Sequence, residues 1–163
     1  MAFQQRRVVT GHDAQGKAIV TIDAISPNRA PINPANNVNE TTVIWSTEGF
    51  PIDNTGDYDG GTRNVGITHT NGTVFRVVSF GPGNAPMNHR TDSIDYAVVI
   101  SGEIDMELDD GVSVHLRAGD VLVQRGTIHN WLNKGTEPCV IAFILIAAKP
   151  VEAGGKVLEA TMH

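Results

Sequence analysis

The sequence predicts an all-β chain whose strands close on themselves as a barrel or jelly roll. Short runs of Val, Ile, Thr, Phe and Tyr recur along it, and Gly, Asn, Asp and Pro punctuate them at short, regular intervals. No helical period persists for more than two turns. Strands this numerous and short leave exposed edges unless the sheet closes.

Taken in order, Arg7 to Val9 and Ala18 to Ala24 flank a polar turn from Gly11 to Gly16 and read as an opening hairpin. Ser26 to Val38 carries three prolines and four asparagines and reads as extended and irregular. Thr41 to Trp45 is a short β-branched run, and Glu48 to Gly61 is a Gly- and Asp-rich loop suited to cover a site. Asn71-Gly72 predicts a tight hairpin between Val65–Thr70 and Thr73–Phe80, because both turn positions tolerate positive φ.

Tyr96 to Ile100 ends at Ser101-Gly102. Ile104, Met106 and Leu108 then alternate with Glu103, Asp105 and Glu107, which gives one apolar and one acidic face to a hairpin returning over Val112 to Leu116. Val121 to Gln124, Ile128 to Leu132 and the wholly apolar Cys139 to Ala147 complete the strands. Pro150 to His163 is a tail and the one candidate for a short helix. We therefore divide a single domain into N-terminal strands and loop (1–70), barrel core (71–148) and C-terminal tail (149–163).

A chain of 163 residues, 40% hydrophobic and 18% charged, can bury one substantial core. Its net charge of -6 and lack of a basic run argue against a nucleic-acid partner and against a membrane surface. No apolar run approaches a membrane span and Met1 to Thr10 is not a signal peptide, so a cytoplasmic location is expected. The single cysteine, Cys139, lies in an apolar run and reads as a buried, unreactive thiol.

Ligand-type side chains gather between Gly83 and Asn133. Gly83 is followed after five residues by His89, then Thr91, then after three residues Asp95, then after six Gly102; Gly119, Gly126, His129 and Asn133 form a second half. His129 alternates with Trp131, so both face one side of their strand, while Tyr96 points away from Asp95. Gln124 and Arg125 stand at the turn before His129, where a substrate carboxylate would be met, although a solvated turn is the plainer role. Arg90 reads as half of a surface ion pair with Asp92, His115 as an exposed residue, and His69 has only its residue type to recommend it.

These two stretches resemble the motifs of the cupin superfamily, in particular its small single-domain members. The first motif runs glycine, five residues, His-x-His, three or four residues, Glu, six residues, glycine; the second runs glycine, five residues, Pro-x-Gly-x-x-His, three residues, Asn. The resemblance is close over Gly83 to Asn133 and extends from Thr73 to Ala147 as a barrel core, leaving the first 70 or so residues outside it. It implies a cupin-type jelly-roll barrel with extra N-terminal strands. The motif is degenerate: Thr91 stands at the second histidine, Asp95 at the glutamate, and Arg125-Gly126 replaces the proline turn in a second half one residue short.

By that resemblance the metal ligands are His89, Asp95 and His129, a two-histidine, one-carboxylate set that suits iron, zinc, manganese or nickel. Thr91, Gln124 and Trp131 are the candidate substrate contacts. No nucleotide or organic cofactor is expected. Small cupins include dioxygenases, isomerases, decarboxylases and lyases, so the expectation is an enzyme acting on a small molecule inside the barrel. The alternative is a metal-free or non-catalytic ligand-binding cupin, in which the same three residues bind ligand or move protons. A homodimer through the N-terminal strands is expected on the same ground.

Overall fold

The computed structural model describes residues 3–33 and 36–162, more than half of which lie in strands and almost none in helix. In chain order the strands are β1 (Arg6–His12), β2 (Ala18–Ile25), β3 (Ala30–Asn33), β4 (Asn36–Glu48), β5 (Gly72–Phe80), β6 (His89–Arg90), β7 (Ser93–Ser101), β8 (Glu103–Glu107), β9 (Ser113–Arg117), β10 (Val121–Arg125), β11 (Asn130–Leu132), β12 (Cys139–Ala147), β13 (Val151–Ala153), β14 (Lys156–Leu158) and β15 (Thr161–Met162). Among the described residues a single 3-10 turn, at Asp109–Gly111, joins β8 to β9. No helix among the described residues is long and apolar enough to cross a membrane.

Two antiparallel sheets enclose the core. One is six-stranded in the order β10-β7-β12-β5-β4-β3, and the other three-stranded in the order β11-β8-β9. Period-two alternation decides which residues are inside: β12 buries Cys139, Ile141, Phe143 and Leu145, and β7 buries Ser93, Asp95, Ala97 and Val99. Across from them, Ile104, Met106, Leu116 and Trp131 close the other side. Trp131 stacks on Phe80 at 6.0 Å between ring centroids and meets Phe143 edge-on at 5.4 Å, which fixes the middle of the core.

The turn from β7 to β8 needs a glycine. Gly102 has φ +77°, and a Cβ there would stand 2.6 Å from the Pro138 carbonyl oxygen. Gly102→Ala should therefore cost about 2–3 kcal/mol, from the left-handed backbone and the clash together; urea unfolding of the two proteins measures it.

Four expectations about the elements need correcting. Residues 65–70 form no strand, and β5 takes β4 as its partner instead, in register from Asn39–Phe80 to Glu48–Gly72. Asn71 and Gly72 read locally as a hairpin turn. In fact Gly72 is required because a Cβ there would fall 2.0 Å from the Thr47 carbonyl oxygen of β4. The predicted short strand Thr41 to Trp45 is the middle of the 13-residue β4, and β3 lies within the stretch expected to be irregular. Freed from pairing, Val65 and Ile67 pack, partly buried, against the core.

The tail is not helical. β13 and β14 form a hairpin over Gly154-Gly155, both at positive φ as a two-residue turn demands, and β15 pairs with β6 so that Met162 lies opposite His89.

Candidate functional site

His89 and His129 are brought together by the backbone. They form a β-bridge in which each N–H donates to the other's carbonyl at 3.0 Å. Directly opposed residues of an antiparallel pair put their side chains on one face, and the two imidazole centroids stand 4.1 Å apart with the rings tilted by 58°. Each ring is then held from behind: His89 Nδ1 lies 2.9 Å from the Met87 carbonyl oxygen, and His129 Nδ1 lies 3.0 Å from that of Thr127. A carbonyl accepts only, so Nδ1 carries a hydrogen in both rings and Nε2 is the nitrogen left to face a ligand. Burial, and then the neighbouring His89, lower the His129 pKa to about 4, so this imidazole is neutral near pH 7.

The strands around this pair are tied by side-chain amides. Asn130 Oδ1 accepts the Met87 N–H at 2.8 Å, and Asn84 Nδ2 donates to the Trp131 carbonyl at 2.8 Å. Asn133 is 2% exposed: its Nδ2 donates to the carbonyls of Phe80 and Glu137, both at 2.8 Å, and its Oδ1 accepts Gly135 N–H at 2.9 Å.

Asp95 lies inside the barrel on β7, with its Oδ1 2.5 Å from Ser93 Oγ. Thr91 Oγ1 sits 2.9 Å from Ser93 Oγ and 3.5 Å from Asp95 Oδ2, so these hydroxyls hold the carboxylate from one side. Burial raises the proton affinity of Asp95, opposed by Ser93, His89, Thr91 and Arg76. Directly across the β10–β7 ladder from Asp95 is Gln124, expected at a solvated turn but 4% exposed and facing inward. Its burial follows from the register: a residue opposite an inward Asp95 shares that face. Its Nε2 is buried with no hydrogen-bond partner among the described residues.

Trp131 shares the face of His129 as expected, with ring centroids 6.1 Å apart edge-on. Tyr96 points outward and is exposed. His115 is exposed and meets Asp105 at 2.7 Å and Glu103 at 3.4 Å. His69 Nδ1 accepts the Asn71 N–H at 3.1 Å within its loop, and His163 lies outside the described residues. No ion pair joins Arg90 to Asp92 among the described residues, and Arg90 instead lines a groove of about 600 Å3 with Leu108, Asp109, Asp110, Ile128 and His129.

One inward residue escaped the sequence reading. Arg76 shares the inner face of β5 with Val74, Val78 and Phe80, and its Nη2 donates to the Gly66 carbonyl at 2.5 Å. Strand alternation was the signal that could have found it; a charged residue in an apolar row is easily assigned to the outside.

Among the described residues no three His, Cys, Asp or Glu side chains are placed to hold one ion. Aspartate is one methylene shorter than the glutamate of the motif, and Asp95 is taken up by the hydroxyls of Ser93 and Thr91. The two histidines do fit: both have a free Nε2, both are anchored through Nδ1, and His129 is neutral. The donor set therefore suits an ion held by His89 and His129 and completed by other donors, not a closed three-ligand cage.

A family model described as a cupin domain matches residues 76–146, which takes in both motifs and the strands that carry them. "Phomopsin biosynthesis cluster protein C'" of Diaporthe leptostromiformis is 38% identical over 159 residues, covering 93% of this chain and 83% of that protein. "Cupin-domain-containing oxidoreductase fogC" of Aspergillus ruber is 34% identical, over 94% of this chain and 77% of its own length. Among solved structures, the polyketide cyclase RemF from Streptomyces resistomycificus superposes with a TM-score of 0.50 at 16% identity, over 74% of this chain and 72% of that one, a likeness of fold alone. With its two sheets, its motif spacing and relatives of this similarity, the chain belongs to the cupin family.

Proposed function

We propose that this cupin is an enzyme that converts a small organic molecule at the His89–His129 pair. The observation that carries the reading is the bridge itself, which sets two imidazoles 4.1 Å apart with both Nδ1 atoms anchored and both Nε2 atoms free. A buried pair of this kind has no packing role that apolar residues would not fill better. Relatives named as oxidoreductases and as members of a biosynthesis cluster support small-molecule chemistry of a redox or tailoring kind.

The substrate reaches His129 along the groove lined by Arg90, Leu108 and Ile128. Trp131 and Phe143 form an apolar wall that keeps water from the rings, while Thr91 and Gln124 offer polar contacts. With no ion bound, His129 would accept a substrate proton at Nε2 and His89 beside it would orient the reacting group or return the proton; an ion on the two Nε2 atoms would take the place of that role. Held by His89 and His129 and completed by donors other than Asp95, a divalent iron, zinc, manganese or nickel ion would supply Lewis-acid chemistry, and redox chemistry in the case of iron.

A second reading, a metal-free ligand-binding cupin, is favoured by the way Ser93 and Thr91 occupy the Asp95 carboxylate. Elemental analysis of untagged protein purified without chelator, repeated on His89→Ala and His129→Ala, separates the two. Stoichiometric metal that disappears in both variants supports the metal enzyme. Metal-free protein that turns over carbonyl acids or lactones supports acid–base catalysis, and metal-free protein that only retains a ligand supports the second reading.

The homodimer is proposed as well. β1 and β2 form a separate two-stranded sheet with Val8, Val20 and Ile25 exposed, and such hairpins are marginal alone. Light scattering should give twice the 17.4 kDa of the chain; a monomer at micromolar concentration contradicts it.

A further inference from the structure

We propose that the inner end of the barrel carries a binding site for an anionic oxygen of the substrate, a carboxylate or an enolate-type oxygen, formed by Arg76 and Gln124 on either side of Asp95. Only the assignment of this oxygen to the substrate rests on the proposed reaction centre.

Two buried N–H donors stand without acceptors. Gln124 is 4% exposed, faces inward opposite Asp95, and its Nε2 has no partner among the described residues. Arg76 stands on β5, beyond Asp95 and β12 in the same sheet and near enough to Asp95 for their charges to interact, and its Nε is likewise buried and unpartnered among the described residues. Leaving a buried donor unsatisfied is costly, more so on a cation, so an acceptor restores what folding has withdrawn.

The chemistry of the acceptor follows from the donors. One belongs to a guanidinium, whose other edge is fixed by the Gly66 carbonyl, and the other is a neutral amide. No carboxylate pairs directly with Arg76 among the described residues, so its charge is not spent on an ion pair. Asp95 is near enough for its charge to favour the Arg76 cation, but its oxygens are held by Ser93 and Thr91. A cation and an amide whose unpartnered N–H groups lie beside the apolar core residues Val74, Leu145 and Phe143 select an anionic oxygen over a neutral one.

Side-chain 15N NMR of the full chain tests this. Arg76 Nε–H and Gln124 Nε2–H signals are followed while sodium formate, acetate, benzoate or 4-nitrophenolate is added at constant ionic strength, with benzamide as the neutral control. At least one anion should shift both signals saturably and benzamide should not; whether carboxylates or the phenolate bind more tightly identifies the source of the oxygen. Arg76→Met should weaken that anion about tenfold or more and Gln124→Leu several-fold, with Arg76→Lys intermediate because it keeps charge and loses the planar fork.

The proposal is overturned if none of the four anions moves these signals, as when only water fills the space, or if benzamide moves them equally. It is also overturned if folded Arg76→Met and Gln124→Leu bind the anion as the parent does. Should either variant fail to fold, the contrast between anion and benzamide in the parent decides. Because binding is read without turnover, intact anion binding alongside inactive chemistry at the histidines would sink the enzyme reading and leave this site standing.

Discussion

Asn133→Ala should lower the midpoint of thermal unfolding by on the order of 10 °C, although no strand ladder bond is touched. The Asn133 side chain satisfies the carbonyls of Phe80 and Glu137 and the N–H of Gly135; the first of these bonds is buried and the other two partly so. Alanine leaves two carbonyls and one amide without partners, a loss of roughly 3–4 kcal/mol. At this chain length each kcal/mol moves the midpoint by about 2–4 °C. Asn133→Asp should be no better, because its carboxylate faces two acceptors. Calorimetry of the three proteins checks both; a shift within a degree or two would mean that water replaces the amide.

Arg7→Met should destabilise the fold by about 3 kcal/mol and remove part of its sensitivity to acid. Arg7 is 5% exposed, and its guanidinium meets both oxygens of Asp59, at 2.6 and 2.5 Å, with Nη1 also 3.3 Å from the Ile44 carbonyl oxygen. This clamps the loop after β4 to β1. Gly61 makes room for it, since a Cβ there would collide with Arg7 Nη1.

Methionine fills the volume but leaves the half-buried Asp59 carboxylate without its cation. In the parent, Arg7 holds the Asp59 pKa below the usual aspartate value. The pair's contribution is therefore complete above about pH 4, the unfolded value, and is lost as pH falls through the lower folded value. Urea unfolding at pH 7 and at pH 3 should show the parent and variant far apart at the first and closer at the second. A constant gap would mean that the loss is one of packing.

Much of the barrel was legible because its signals are local. Alternation in β7, β8 and β12 names the inner residues directly, and positive-φ glycines such as Gly102 mark the turns between them. Where the reading failed, a local signal competed with a distant partner. Asn71-Gly72 looks like a hairpin turn, but β5 gains a nine-residue ladder with β4 by ignoring it. Gly154-Gly155 was the reverse case, a true two-residue turn passed over in favour of a short helix.

The site divides in the same way. Motif spacing was enough to select His89 and His129, whose bridge the structure supplies. The burial of Gln124 depends on its register against Asp95, which no window of sequence contains, and inward Arg76 runs against the usual preference of charge for water.

The central claim is that the His89–His129 pair does chemistry on a small molecule. It is tested most directly by incubating the parent, His89→Ala and His129→Ala with a small-molecule extract of the organism that carries the gene, and following every component by mass spectrometry. The expected result is a component consumed by the parent, with a matching product, and converted at least about a hundredfold more slowly by each folded variant. Conversion at the parental rate by either variant, or no conversion by the parent, would contradict it.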